Sequence, residues 1–160
     1  MSLDTSGLTS DLDALFANPP CVLVGDLVDV AASRAACAAA WASTMQHYAV
    51  AVVPVSSTVV AAAAALDGAL ASAFASDASW AELAADVDSA FVAFAAAVGT
   101  GMLPAYIATP PVGAPGFFAG IGASLPTHAD AASYWSGKID LWMRTGTAVP
   151  PLGGPSVLWL

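Results

Sequence analysis

S-A-F-V-A-F-A-A-A-V-G-T-G-M-L-P-A-Y-I-A-T-P-P-V-G-A-P-G-F-F-A-G-I-G-A-S-L-P-T, residues 89–127, carries no charged side chain and changes character midway. Phe91, Phe94 and Val98 sit at helical spacing. From Gly99 onward the stretch is broken by Pro104, Pro110, Pro111, Pro115 and Pro126 and by five further glycines, from Gly101 to Gly122. Connecting segments of that kind are normally polar, because their backbone lives in water. This one carries Met102, Leu103, Tyr106, Ile107, Phe117 and Phe118. An irregular backbone that is also apolar needs a surface to lie on, either the chain's own helices or a neighbouring subunit. Residues 99–127 are therefore read as an extended arm, and Tyr106, Phe117 and Phe118 as anchors for a partner's pockets.

Helical signals lie on both sides of the arm. Upstream, Ser79 and Glu82 form an S-x-x-E capping box, which satisfies two orphan amide donors reciprocally. Trp80, Leu83, Val87, Phe91, Phe94 and Val98 then trace one face. A helix over 57–74 presents Val59, Ala63, Leu66, Leu70 and Phe74. A long helix over 26–53, capped by Asp26, presents Leu27, Val30, Arg34, Cys37, Trp41, Met45, Tyr48 and Val52. A short helix covers 10–17. Downstream, Thr127 with Asp130 starts a fifth helix with Ala131, Trp135, Ile139 and Trp142 on its face, ending near Arg144 and Gly146. The tail closes on Val157, Leu158, Trp159 and Leu160. These residues are too apolar to dangle in water and should dock, an edge strand being one way to do so. The fold class expected is all-α: an Ala-rich bundle of four to five helices with a long Pro/Gly-rich apolar arm and an extended C-terminal tail. Within one domain, 1–98 form the bundle, 99–127 the arm, 128–146 the C-terminal helix and 147–160 the docked tail.

Composition narrows the function classes. Hydrophobic residues make up 58% of the chain and charged residues 9%, with a net charge of −9. That is too apolar for disorder. The only basic residues are Arg34, Lys138 and Arg144, and so acidic a balance disfavours nucleic acid as a partner. The uncharged run over 35–66 is long enough to span a membrane. It is broken by Pro54, Ser56, Ser57 and Thr58, is mostly Ala, and lacks flanking basic residues. No membrane association is expected on the primary reading. The first ten residues show neither a basic start nor an apolar h-region, so no signal peptide is expected. Cys21 and Cys37 lack metal-ligand spacing. Cys37 reads as a small hydrophobe in an Ala-rich helix.

The polar residues do not assemble into a recognisable reaction centre. His47 and His128 read as structural. Asp86 and Asp88 point to different faces of one helix and read as solvated. Asp140 reads as a surface partner of Lys138. Gly120-Ile121-Gly122 lacks the strand and the GK[ST] of a phosphate loop. No catalytic, cofactor-binding or metal-binding residue is assigned, no cofactor is expected, and the chain is read as not an enzyme.

The last third has more specific wording: Met102-Leu103-Pro104-Ala105-Tyr106, Ala108-Thr109-Pro110-Pro111, then Trp135-Ser136-Gly137-Lys138-Ile139-Asp140-Leu141-Trp142-Met143-Arg144-Thr145-Gly146-Thr147-Ala148, and Gly153-Gly154-Pro155 before Trp159. This resembles small structural proteins of tailed bacteriophages and of related contractile injection particles. Such proteins tend to end in an I-D-x-W-x-x-T-G-T-A helix end, a Gly-rich turn and a Trp near the C-terminus. Where they often finish Asn-Trp-Ser, this chain has Leu158-Trp159-Leu160. The resemblance implies a virion or phage-like particle component of the tail, baseplate or neck, assembled in the cytoplasm. Its partners would be other particle proteins, in a homo-oligomer or multi-subunit assembly. The partner-contact candidates are Tyr106, Phe117, Phe118, Trp142, Trp159 and Leu160. The alternative readings are a membrane-associated helical protein and, after it, a small-molecule binding module in the bundle core.

Overall fold

Side-chain caps set the helix starts in the computed structural model, which describes residues 3–53, 56–117 and 125–159. Asp4 accepts from the Gly7 N–H at 2.8 Å and opens α1, Thr5–Ala17. Asp29 accepts from the Ala32 N–H at 2.9 Å and opens α2, Val30–Ala49. The box of Ser79 and Glu82 opens α4, Trp80–Thr100, with both reciprocal bonds made. Thr127 accepts from the Asp130 N–H at 3.1 Å and opens α5, His128–Met143. Between α2 and α4 lies α3, Ser56–Ala75. Each such cap is worth about 1 kcal/mol. Phe118, Leu160, Pro54 and the Gly120-Ile121-Gly122 triplet lie outside the described residues.

Two helix starts differ from expectation. The first helix begins at Thr5, not at residue 10, because Asp4 caps it and Leu8, Leu12 and Leu15 form its buried stripe. The long helix begins at Val30, with Asp29 rather than Asp26 as its cap. The eight residues before it form an antiparallel hairpin of β1, Val22–Val24, and β2, Leu27–Asp29, in the register Val24↔Leu27. Gly25 sits at the first central turn position with φ +64°, where a two-residue hairpin loop needs a positive φ. The fold is therefore mostly helical but not purely so.

A second sheet makes the same point. β3, Ile107–Thr109, β4, Thr147–Val149, and β5, Val157–Leu158, form an antiparallel sheet in the order β3-β4-β5. Ala108 pairs with Ala148, and Ala148 with Val157. Strand β3 comes from the expected arm and β5 from the expected tail, so the two irregular segments solve their backbone hydrogen bonding on each other.

Helices α2, α3 and α4 pack consecutively, while α1 packs on α2 and α5. The core faces of α3 and α4 follow the predicted spacing over most of their length: Val59, Ala63, Leu66, Leu70, Val87, Phe91, Phe94 and Val98 are buried and Phe74 and Leu83 partly so, but Trp80, expected on the α4 face, is 59% exposed. The α2 stripe is only half right. Met45, Tyr48 and Val52 are buried, but Leu27 and Val30 stand in solvent.

Candidate interaction surface

The arm's aromatic side chain turns inward. Phe117 is 1% exposed. Its ring lies edge-on to Phe91 at 4.6 Å, Trp135 at 5.9 Å and Trp142 at 6.2 Å, and Trp41 joins Phe91, Trp135 and Phe16 into one cluster. Edge-to-face geometry of this kind adds about 0.5–1.5 kcal/mol per pair beyond area burial. Asp88 fixes the approach: its carboxylate accepts from the backbone N–H groups of Gly116 and Phe117 at 3.2 and 3.3 Å. Asp88 thus tethers the arm rather than merely solvating a helix face. An anchor expected in a neighbour's pocket instead fills the gap between α4 and α5 of its own chain.

Trp142 and Trp159 are likewise buried by their own chain. The Trp142 indole donates to the Gly113 carbonyl at 3.2 Å and so pins the arm from below. The Trp159 indole donates to the Thr147 carbonyl at 3.1 Å, and its backbone N–H donates to Gly146 at 3.0 Å. A Cβ on Gly146 would stand 2.7 Å from the indole. The Thr-Gly-Thr-Ala wording thus has a physical reading. Gly146 makes room for Trp159, the Thr147 carbonyl accepts its indole hydrogen bond, and Ala148 lies buried in the middle strand. Tyr106 is half-buried and lines an apolar groove of about 200 Å³ with Val52, Met102, Val157, Leu158 and Trp159. Of the six contact candidates, three are thus occupied inside the chain, Tyr106 borders a groove, and Phe118 and Leu160 lie outside the described residues.

Asp140 is the polar centre that sequence reading missed. Its carboxylate accepts from Thr5 Oγ1 at 2.8 Å, Tyr48 OH at 2.8 Å and Arg144 Nε at 2.7 Å, joining α1, α2 and α5. Burial would raise its pKa, but the hydrogen bonds from Arg144, Thr5 and Tyr48 and the Arg144 charge outweigh that and hold it below the usual carboxylate value. Burial, then the bond to Asp140 and its charge, push the Tyr48 phenol well above its ordinary range. Asp140 is not a surface partner of Lys138, whose ammonium lies 5.0 Å over the Tyr134 ring. The only local signal was Arg144 four residues on; Thr5 and Tyr48 come from remote sequence. His47 pairs with Asp11 at 3.0 Å and His128 with Asp13 at 2.6 Å, both at the surface along α1. Burial pushes the Cys37 thiol up, consistent with its packing as a small hydrophobe. Among the described residues no cluster of His, Cys, Asp and Glu could hold a metal ion.

Large apolar side chains stand in solvent at scattered positions, Val112, Leu141 and Leu152 among them, and at several neighbouring positions in the hairpin. Leu23, Val24, Leu27, Val28 and, at the start of α2, Val30 are between 55% and 76% exposed. Both faces of the ribbon carry apolar side chains, and among the described residues neither strand pairs with a third. An isolated two-stranded ribbon is marginal in water. Five exposed aliphatic side chains within eight residues are the kind of surface that can mark an interaction site. The α2–α3–α4 layer leaves a second feature: Ser57–Ala75 and Trp80–Thr100 reach mean hydropathies of 1.6 and 1.4 and are long enough to cross a membrane. No protein-family model, curated protein or solved structure matches this chain.

Proposed function

We propose that this chain is a structural or assembly component of a phage virion or phage-like contractile particle, at a tail, baseplate or neck position, working through protein–protein contacts. The observation that carries the reading is the bare apolar hairpin, Val22–Val24 with Leu27–Asp29, on a chain whose aromatic side chains, Trp80 excepted, are mostly sheltered internally. Such a ribbon is a standing liability for a solitary soluble protein. It is an asset to a subunit that ends its life in an assembly. The resemblance of the last third to particle proteins supports the setting, and the Gly146–Trp159 lock gives that wording a structural purpose.

The experiment is quantitative mass spectrometry of purified particles from the source, with and without the gene. The proposal expects the chain at a fixed stoichiometry in intact particles, and defective or absent particles without it. Intact, infectious or contractile particles that lack the chain would overturn it.

The membrane reading is favoured by one feature, the length and hydropathy of α3 and α4. Against it, most of their large apolar side chains face the bundle, Val60, Trp80 and Val92 excepted, and Asp67, Glu82, Asp86 and Asp88 lie along them. Flotation with liposomes separates the two: the membrane reading needs the chain to float, the assembly reading does not.

A further inference from the structure

We infer that the helical core holds a ligand site, an aromatic-walled cavity that takes one small uncharged aromatic molecule. The inference is independent of the assembly reading, because it concerns the interior of the chain and not its hairpin.

The cavity measures about 180 Å³. Six rings border it, those of Phe16, Trp41, Phe74, Phe91, Phe117 and Trp135, and two aliphatic side chains complete the wall. Among the described residues, the only polar side-chain atoms in that lining are the indole nitrogens of its two tryptophans. Native interiors contain few voids larger than a water molecule. A water in such a space needs two to four polar partners, whereas an apolar cavity of about 150 Å³ stays dry and binds benzene. Size and chemistry therefore select the same occupant, a benzene-like body.

The walls are braced against collapse. Trp41, Phe91, Phe117 and Trp135 touch one another in a closed cycle, with successive centroids 6.2, 4.6, 5.9 and 6.3 Å apart and planes crossed at 72° to 82°. Each ring meets the next edge to face, the favoured aromatic geometry. None of the four can swing inward without losing a contact on both sides. Phe117 is further held by the Asp88 carboxylate, which accepts from its backbone N–H and from that of Gly116. Rings that are already crossed in this way offer edges and faces to a further flat ring.

The way in follows the seam between α2, α3 and α4. A wide cleft open to solvent is lined by Arg34, Cys37, Phe74, Asp77 and Leu83. On α2, Cys37 lies one turn from Trp41. On α3, Phe74 lies one turn from Leu70, and on α4 Leu83 lies one turn from Val87; Leu70 and Val87 are the two aliphatic wall residues. Three helices thus step together from cleft to cavity over about 5 Å, and Phe74 borders both spaces. Trp41 and Phe74 are only partly buried. The cleft carries one charge of each sign, Arg34 and Asp77, so it favours neither an anion nor a cation. The apolar body decides what enters.

The test uses the whole chain and toluene as the probe. Toluene at about ten times its Kd should raise the melting temperature by about 3–6 °C and change the tryptophan fluorescence. Val87→Phe should fill the space, keep or raise the melting temperature of the chain without toluene, and abolish the toluene shift. Leu27→Lys, on the exposed hairpin, should leave that shift unchanged. In the native chain, intermolecular nuclear Overhauser effects should connect the toluene ring protons to the Trp41 and Trp135 indoles. That measurement decides the matter if Val87→Phe fails to fold. Three results would overturn the inference: no shift with toluene, a shift lost in Leu27→Lys, which would place the probe on the hairpin, or saturation with no contact to either indole.

Discussion

Replacing Gly146 by Ala tests whether Trp159 is locked into its own chain. The φ of Gly146 lies outside the left-handed region, so the backbone accepts an L-residue there. On backbone entropy alone Gly→Ala would stabilise by about 0.4–1 kcal/mol. The contact geometry predicts the opposite sign. The new Cβ would lie 2.7 Å from Trp159 Cδ2, 2.8 Å from Cε2 and 3.2 Å from Pro111 Cδ. The indole cannot slide away freely, because its N–H is bonded to Thr147 and its Cζ2 already backs onto Gly99. Overpacking of this kind costs about 1–3 kcal/mol. Its ceiling is the loss of a buried Trp, about 3–5 kcal/mol, with the ring at 2% exposure. The expected net effect is destabilisation by about 2 kcal/mol, read from urea unfolding by far-ultraviolet circular dichroism and tryptophan fluorescence. In a Trp159→Ala background the clash disappears, and Gly146→Ala should become neutral or mildly stabilising. Stabilisation by Gly146→Ala in the otherwise native chain would refute the lock.

Other outcomes follow from the same contacts. Gly68→Ala in α3, where an added Cβ meets nothing within 4 Å, should stabilise by up to about 1 kcal/mol in the same unfolding assay. Phe117→Ala should cost about 3–5 kcal/mol and lower the melting temperature of the isolated chain, whereas an arm resting on a neighbour would leave that temperature unchanged. Tyr48→Phe should cost about 1.5–3 kcal/mol, because it removes a hydrogen bond to a charged group. Stability should also depend on pH at both extremes. The Asp140 pKa is depressed on folding, so its contribution is present above the unfolded carboxylate value, about 3.9, and is lost as pH falls through the folded one. The Tyr48 pKa is raised, so its contribution is present below about pH 10 and is lost as the solution becomes more alkaline. Asp140→Asn should flatten the acid limb, and Tyr48→Phe the alkaline one.

Local chemistry made the helices legible. Ser79 with Glu82, and Thr127 with Asp130, announce α4 and α5 because a cap is a contact between residues three apart. The faces of α3 and α4 were readable because large side chains are sparse among alanines and recur at helical spacing. The hairpin was not read, because Leu27 and Val30 happen to fit the helical spacing of Arg34 and Cys37. The competing signal was Val22-Leu23-Val24-Gly25-Asp26-Leu27-Val28-Asp29, two short apolar runs around a Gly-first turn. Asp140 and Asp88 were misread for a different reason. Their partners, Thr5 and Tyr48 in one case and the backbone of Gly116 and Phe117 in the other, are brought by tertiary folding and leave no periodic trace. Of the apolar arm, Met102 and Phe117 are sheltered, while Leu103, Ile107 and Val112 stand in solvent. Which polypeptide supplies the shelter depended on a gap between α4 and α5 that no sequence pattern displays.

The most direct measurement of the central claim is amide hydrogen exchange on the isolated chain and on the chain in purified particles. The account predicts that Val22–Val24 and Leu27–Asp29 exchange quickly when the chain is alone and become strongly protected in the particle, while Gly116 and Phe117 are protected equally in both. Equal exchange of the hairpin in the two forms would contradict the claim that this ribbon is where the chain meets its neighbours.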